Sequence, residues 1–502
     1  MTTKEPIELE LANFGPIIEG RIDLRPLTVF VGPSNTGKSY LAILIYALHR
    51  FFGSEMPGGM RNPVRFASES GTPSSTIKAV GDWAGEVFGS HDEPPWEGRS
   101  DDALTIPSAV ARTIQSLFSE QASALADEIT RCFGAASLPA LVRRGKGGQS
   151  GITVRKPSDD AGSIKFEHKL SLKPLEFIST FPDELEFSLN GETSHSRTLW
   201  ELERIGRLLV GRPEAPFRYA RLLESLIDLL LPEIVGALHR QAYYLPADRT
   251  GVMHAHSVVV SALIERAAMA GLRQAPKTPT LSGVLADFLE QLIGIDSHPH
   301  RRRKSRASQA GKIEDAILQG TVLMETGEAA GYPRFAYQPE GWRETLPLMN
   351  ASSMVSELAP VVLFLRHLVV PGDLLIIEEP ESHLHPAMQV EFTRQIASVV
   401  NSGIRVLVTT HSEWVLEELS NIVLTSAVPK SRQKTAKGNG IALQRSEVGV
   451  WAFNPKKRPK GTVIEEINLS ASGDLYSASF DDVSAETYNK WVTLGSLAGS
   501  DA

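Results

Sequence analysis

The stretch Leu374–Pro386 reads LLIIEEPESHLHP. Leu374, Leu375, Ile376 and Ile377 form an unbroken aliphatic run, the pattern of a short strand buried on both faces of a parallel sheet. The run ends on adjacent carboxylates, Glu378 and Glu379, followed by Pro380. Two like charges at the end of a buried strand repel each other unless a cation offsets them. Nucleotide hydrolases hold a magnesium ion and an attacking water at this place, the carboxyl end of a sheet strand. A strand that simply exits into a polar turn gives the same letters, so a second landmark is needed.

That landmark lies near the start of the chain. Leu27-Thr28-Val29-Phe30-Val31 is another short apolar run, and it leads directly into Gly32-Pro33-Ser34-Asn35-Thr36-Gly37-Lys38-Ser39. The octet fits G-x-x-x-x-G-K-[ST] with a strand before it and a helix after it. The helix is expected over Tyr40 to Phe52, where Leu41, Leu44, Ile45 and Leu48 recur at helical spacing. Gly32 and Gly37 let the backbone turn its N–H groups toward an anion at the helix N-terminus. Lys38 is placed to reach the β- and γ-phosphates, and the Ser39 hydroxyl to complete a magnesium shell. Nucleotide-binding residues are therefore expected over Gly32–Tyr40.

Composition bounds the rest. A chain of 502 residues has room for two or three domains, or for one domain with large insertions. Its most apolar region, Val361 to Ile377, is broken by Arg366, His367 and Asp373, so no membrane-spanning segment is expected. The opening MTTKEPIELE is too polar for a signal peptide. A single cysteine, Cys132, excludes an internal disulfide and fits a reducing compartment, so a cytoplasmic location is expected. The net charge of −8 argues against a general nucleic-acid coat but leaves room for a local basic patch.

Along the chain, Ile7, Leu9 and Leu11 alternate with polar residues as in a half-buried strand, and Asn13-Phe14-Gly15-Pro16 turns it toward a second short strand at Ile22–Leu24. From Gly53 to about Pro107 the sequence is rich in Gly, Pro, Ser and acid, and long loops are expected. Ala109 to Phe133 reads as one amphipathic helix, Gly151 to Phe187 as a small strand group, and Trp200 to Leu238 as helical again. Tyr243 to Arg249 reads as a strand entering a charged turn, with helices expected over Val258–Ala268 and Leu281–Ile293. His298 to Arg306 is the one dense basic run, either a solvated loop or a contact for a phosphate backbone. Pro333–Gln338 and Glu344–Leu348 are strand-like.

Asn350-Ala351-Ser352-Ser353-Met354-Val355-Ser356-Glu357 then precedes an apolar helix at Val361–Val369; its serines and glutamate resemble an N-terminal cap, and Pro360 is expected to kink that helix or mark a late start. After the acidic strand come a helix from Pro386 to Val400 and a strand, Arg405–Thr410, ending on His411-Ser412. Ser412 suits the cap of the next helix, Glu413–Leu419, which leaves His411 placed to touch a γ-phosphate. Val448–Phe453 and Val463–Leu469 read as closing strands.

This order of phosphate loop, serine-rich helix start, Glu-Glu strand and strand-terminal histidine resembles the ABC-type ATPase heads, and within them the prokaryotic AAA/ABC-type group that includes the SMC, RecF and OLD-type ATPases. The Asn13-Phe14-Gly15 opening and the EPESHLHP run are similar to that group too. The resemblance covers about Ile7–Phe52 and Tyr243–Val450. It implies an α/β fold, a P-loop NTPase of ABC-head type, with a mixed sheet flanked by helices and a large, mostly helical insertion. On that plan residues 1–52 and 236–470 form the ATPase lobe, 53–235 the insertion and 471–502 a C-terminal tail.

Carried over by residue, the resemblance makes Glu378 the magnesium-shell carboxylate, a Glu where the family uses Asp. It makes Glu379 the carboxylate that polarises water, Ser382–His385 the D-loop and His411 the switch histidine. Gln241 and the Asp248-Arg249 turn are both candidates for the glutamine loop. The signature departs most from Leu-Ser-Gly-Gly-Gln/Glu, because Ser353 is followed by Met354 and Val355. Ser353 is still placed to reach the γ-phosphate of a partner's nucleotide, without the glycines that permit close backbone approach. ATP and Mg2+ are the implied ligands, and a homodimer of nucleotide-sandwiched heads the implied assembly. Work on DNA in repair or antiviral defence, beside a separate nuclease, is one implied role. A nucleotide-gated scaffold that sequesters a toxin or other effector protein is the alternative, and a transporter subunit the third.

Overall fold

The structure is a computed structural model. It describes residues 7–53, 78–83, 85, 103–106, 108–143, 150–157, 164–182, 185–188, 222, 226, 230, 234–255, 259, 281–297, 304–326, 333–428, 441–467 and 490. The chain divides into two compact units, Met1–Asp23 with Leu44–Gln241, and Leu24–Ile43 with Ala242–Ala502.

The described strands are, in chain order, β1 (Ile7–Phe14), β2 (Ile17–Leu24), β3 (Leu27–Val31), β4 (Ala103–Ile106), β5 (Gly151–Pro157), β6 (Ile164–Leu172), β7 (Leu175–Thr180) and β8 (Leu185–Ser188). They continue with β9 (Ala242–Leu245), β10 (Gly320–Thr326), β11 (Pro333–Pro339), β12 (Leu346–Pro347), β13 (Leu374–Glu378), β14 (Arg405–Thr410), β15 (Val448–Lys457) and β16 (Lys460–Glu466). The α-helices with defined bounds among the described residues are α1 (Lys38–Phe52), α2 (Ser108–Glu120), α3 (Ala122–Phe133), α4 (Gly283–Ile293), α5 (Lys304–Ile313), α6 (Ser353–His367), α7 (Pro386–Asn401) and α8 (Glu413–Ala427), and helical residues also occur at 78–83 and 249–255.

In the first unit the strands run in the order β7-β6-β5-β1-β2, with β5 antiparallel to β1 and to β6. Ile7, Leu9 and Leu11 are buried, as their alternation predicts. A second core gathers Phe52, Phe118, Phe166 and Phe177 around His168. Burial pushes that histidine down to about 4. It is held by Ser179 Oγ at 2.7 Å and the Ile234 carbonyl at 3.1 Å.

The expected single helix over Ala109–Phe133 is two helices, α2 and α3, separated at Gln121 (φ −85°, ψ 7°). Val110, Ile114, Phe118, Leu125 and Ile129 are all buried and stay in helical phase across the break, so the periodicity carries no sign of it. The helix expected over Trp200–Leu238 lies largely outside the described residues, as do most of the Gly53–Pro107 stretch, the Val258–Ala268 helix, His298–Arg303 and the tail after 470.

In the second unit the order is β16-β15-β3-β14-β13-β9. β9, β13, β14, β3 and β15 pair in parallel, and β16 pairs antiparallel with β15. Every residue of β3, β9 and β13 is buried, which is why these strands read as continuous apolar runs instead of alternating ones. One large apolar cluster joins them to α4, α6, α7 and α8. A smaller antiparallel sheet, β10-β11-β12, packs on the same cluster through Val322, Phe335 and Tyr337.

Of the two alternatives expected for Pro360 in α6, a late start does not hold: the helix runs from Ser353 to His367 with Pro360 inside. A helix-interior proline costs about 3 kcal/mol through a lost hydrogen bond and a ring clash. Here Val355 to Leu365 are all buried, and that packing offsets the cost.

Candidate functional site

The parallel registers place three strand ends on one edge. Glu378 lies opposite Thr409, Thr410 opposite Val31, and Val31 opposite Ala452. The residues that follow β3, β13 and β14 are therefore neighbours in space, although the first group lies more than 300 positions before the other two. They are the Gly32–Ser39 loop, Glu379 and His411.

The loop turns tightly at Gly32, whose φ is +142°. A Cβ there would stand 2.8 Å from the Phe453 carbonyl oxygen and 3.2 Å from its Cβ, so only glycine fits. Thr36 Oγ1 donates to Pro33 O at 2.8 Å and closes the turn. Asn35 adopts a left-handed φ of +62°. Pro33, Ser34 and Asn35 are exposed, Thr36, Gly37 and Lys38 are buried, Ser39 is exposed and Tyr40 half-buried. Lys38 Nζ donates to the loop carbonyls of Gly32 at 2.8 Å and Pro33 at 2.9 Å. Burial pulls the Lys38 ammonium down to about 8, against the opposing pull of Glu379, Glu381 and Glu378.

Glu378 is buried at the end of β13 and Glu379 is about two-fifths exposed. Burial pushes the Glu378 carboxyl up, while Ser39, Tyr244 and the Ala247 N–H favour its charged form. Ala247 N donates to Oε2 at 3.3 Å, but Oε1 is buried without a hydrogen bond of good geometry. A buried carboxylate oxygen left unsatisfied beside a serine hydroxyl fits a divalent cation whose remaining ligands come from phosphate and water. Among the described residues no three His, Cys, Asp or Glu side chains could hold a metal by themselves. Ser39 and Glu378 would hold such an ion only with a nucleotide.

Glu379 occupies a left-handed backbone position, φ +42°, and its N–H donates to Thr409 O at 2.9 Å and Thr409 Oγ1 at 3.2 Å. His411 Nε2 lies 3.4 Å from Glu379 Oε1. The hydrogen bond to His411 holds the Glu379 carboxyl below its ordinary range against burial, with the charges of His411, Lys38 and Arg249 adding to it. Strained residues of this kind cluster where geometry serves chemistry.

Ser353 opens α6 and is exposed, while the cap itself is Ser352, whose side chain accepts from Val355 N at 3.3 Å. Glu357, read in the sequence as part of the cap, is instead buried and paired with Arg249. Of the two glutamine-loop candidates, the Asp248-Arg249 turn belongs to this unit and Gln241 ends the other one. His385 caps α7 and Ser412 caps α8.

One site residue was given no role by the sequence reading, and two others were given a different one. Glu381 accepts from Thr410 Oγ1 at 2.7 Å and from His411 N at 2.6 Å, tying the turn after β13 to the end of β14. Arg249 and Glu357 form a fully buried ion pair behind the carboxylates. An arginine four positions past the end of a buried strand was the available signal.

Residues 305–416 match the family model of the AAA ATPase domain. The chain resembles the AAA/ABC-type ATPases. The matched segment holds Ser353, Glu378, Glu379 and His411, and it supports an ATP-binding ATPase. No curated protein matches the chain significantly. Among solved structures, the SMC head domain from Thermotoga maritima is 10% identical with a TM-score of 0.35, over 92% of this chain and 99% of that one. An Smc head domain with an extended coiled coil, bound to the C-terminal domain of ScpA and derived from Pyrococcus furiosus, is 10% identical with a TM-score of 0.37, over 93% and 96%. No helix among the described residues is long and apolar enough to cross a membrane.

Proposed function

We propose that this chain binds ATP with Mg2+ at Gly32–Tyr40 and hydrolyses it, and that two copies close around two nucleotides and reopen on hydrolysis. What carries the reading is the meeting of Lys38, Ser39, Glu378, Glu379 and His411 at one sheet edge, together with the AAA ATPase match. Loop N–H groups and Lys38 bind the β- and γ-phosphates. Glu379, charged and half-open to solvent, orients the attacking water, while His411 and Lys38 steady the charge that develops on the γ-phosphate. Ser39 and Glu378 would hold the magnesium ion, whose part is to neutralise phosphate charge. Ser353, exposed at the start of α6, completes the site of the second copy. In this reading the dimer works on DNA, in repair or in defence against phage.

The test is ATP turnover of the full chain with and without duplex and single-stranded DNA, at two salt concentrations. Turnover abolished by Glu379→Gln supports hydrolysis at this site. Salt-sensitive stimulation by DNA, lost when Arg301, Arg302, Arg303, Lys304 and Arg306 are neutralised, supports the DNA-linked role. Slow turnover indifferent to DNA overturns that role and favours a nucleotide-gated scaffold for an effector protein.

A further inference from the structure

We propose that Arg249 is the positioning residue of this site, a buried fork that fixes the backbone of Glu378 and Glu379 and ties it to Glu357 on α6. The inference rests on the ATPase reading above and assigns a residue that reading does not use.

Arg249 follows β9 and is 0% exposed. Its Nη1 donates to Glu378 O at 2.5 Å and to Pro246 O at 3.0 Å, and its Nη2 approaches Glu379 O at 3.5 Å. Its Nε donates to Glu357 O at 3.1 Å, and Nη2 forms the ion pair with the Glu357 carboxylate. Thr250 Oγ1 donates to the other Glu357 oxygen, which fixes that carboxylate in turn. On the opposite side, the Glu379 N–H is held by Thr409. The left-handed backbone of Glu379 is thus gripped from both sides: by a donor fork on two successive carbonyls, and by an acceptor pair on the amide between them.

A buried ion pair costs the desolvation of both partners, which an apolar pair of similar volume avoids. What an apolar pair cannot supply is a planar set of donors aimed at carbonyls in fixed directions, and a lysine, with its point charge, cannot supply it either. Glu357 stands one turn after Ser353 on α6. Arg249 therefore links the helix start that faces a second copy to the backbone of the water-orienting carboxylate.

The experiment compares wild type, Glu379→Gln, Arg249→Lys and Thr250→Val as full chains, measuring turnover, KM for ATP and direct binding of a fluorescent ATP analogue. The expected result for Arg249→Lys is a loss of kcat of about 10–100-fold with KM and binding within about threefold, the mark of misplacement without lost affinity. In the Glu379→Gln background the same change should cost nothing further, because the group it positions is already gone. Thr250→Val should lower kcat several-fold in the same pattern. If Glu379→Gln abolishes turnover while Arg249→Lys keeps kcat, or changes KM alone, the positioning role is overturned and the ATPase reading stands. Should Arg249→Lys fail to fold, Thr250→Val decides, and an unchanged kcat there overturns the proposal. A wild type without turnover, or Glu379→Gln with full turnover, overturns the ATPase reading and this inference with it.

Discussion

His411 Nε2 lies 3.4 Å from Glu379 Oε1, although 32 positions separate the two residues in sequence (411 − 379). The parallel pairing of β13 with β14 brings them together, and Glu381 accepting from His411 N holds the arrangement. The carboxylate is consequently both charged and aimed, the state needed to orient a water. Glu379→Gln keeps the shape and removes the charge. It is expected to lower turnover by about 10²–10³-fold, the scale of removing one preorganised electrostatic group. ATP binding should change by less than about threefold, since phosphate contacts come from the loop. Filter binding beside a phosphate-release assay checks both numbers.

His411→Ala should move the acid limb of the pH–rate profile upward. The hydrogen bond from His411 is the largest cause holding the Glu379 carboxyl below its ordinary range, so its removal raises that carboxyl. A base with a raised pKa is protonated, and lost, at higher pH. A limb that stays where it was would belong to another group.

Nucleotide binding is expected to take up a proton at alkaline pH. Burial brings Lys38 down to about 8 in the structure, so above pH 8 most of it is neutral. Phosphate oxygens favour the charged ammonium and raise it again. Affinity should then fall as pH rises above 8, by up to about tenfold per unit, and be flat below it. Calorimetry at pH 8.5 in two buffers of different ionisation enthalpy reads the uptake directly. Lys38→Ala should lose binding itself.

Gly32→Ala tests the loop geometry apart from its charge. The added Cβ would meet the Phe453 carbonyl oxygen at 2.8 Å, at a φ of +142° that side chains rarely adopt. Strain of this kind costs about 1–3 kcal/mol. A lowered melting temperature with weakened ATP binding is expected. An unchanged melting temperature would mean that the loop relaxes freely, contrary to its packing against β15.

The strands that carry the site were legible because burial on both faces strips them of polar letters: Leu27–Val31 and Leu374–Ile377 could hardly be anything else. Their terminal residues were legible because glycine, lysine and paired glutamates have few other reasons to follow such runs. The pairing of Arg249 with Glu357 was not legible, since 108 positions separate them and no local periodicity relates residues so far apart. The break at Gln121 was hidden because both helices keep one apolar phase, and the continuity of α6 through Pro360 because burial on all sides overrides a local rule. Pairwise chemistry across the fold, unlike local patterning, leaves little trace in the letters.

The dimer is tested most directly at Ser353. This residue opens α6, is exposed, and is not the cap, which is Ser352. Ser353→Arg should therefore leave the fold intact, with a melting temperature within about 2 °C of the parent, as surface changes remote from special features usually do. In Glu379→Gln with ATP and Mg2+, light scattering is expected to give the mass of two chains, because hydrolysis no longer resets the closed state. Adding Ser353→Arg puts a bulky cation where a γ-phosphate and a facing helix start must come together. The mass should fall back to one chain while binding of ATP to the chain's own loop stays unchanged. If the double variant still dimerises with ATP, Ser353 does not face the partner's nucleotide, and the face through which two copies meet lies elsewhere on the chain.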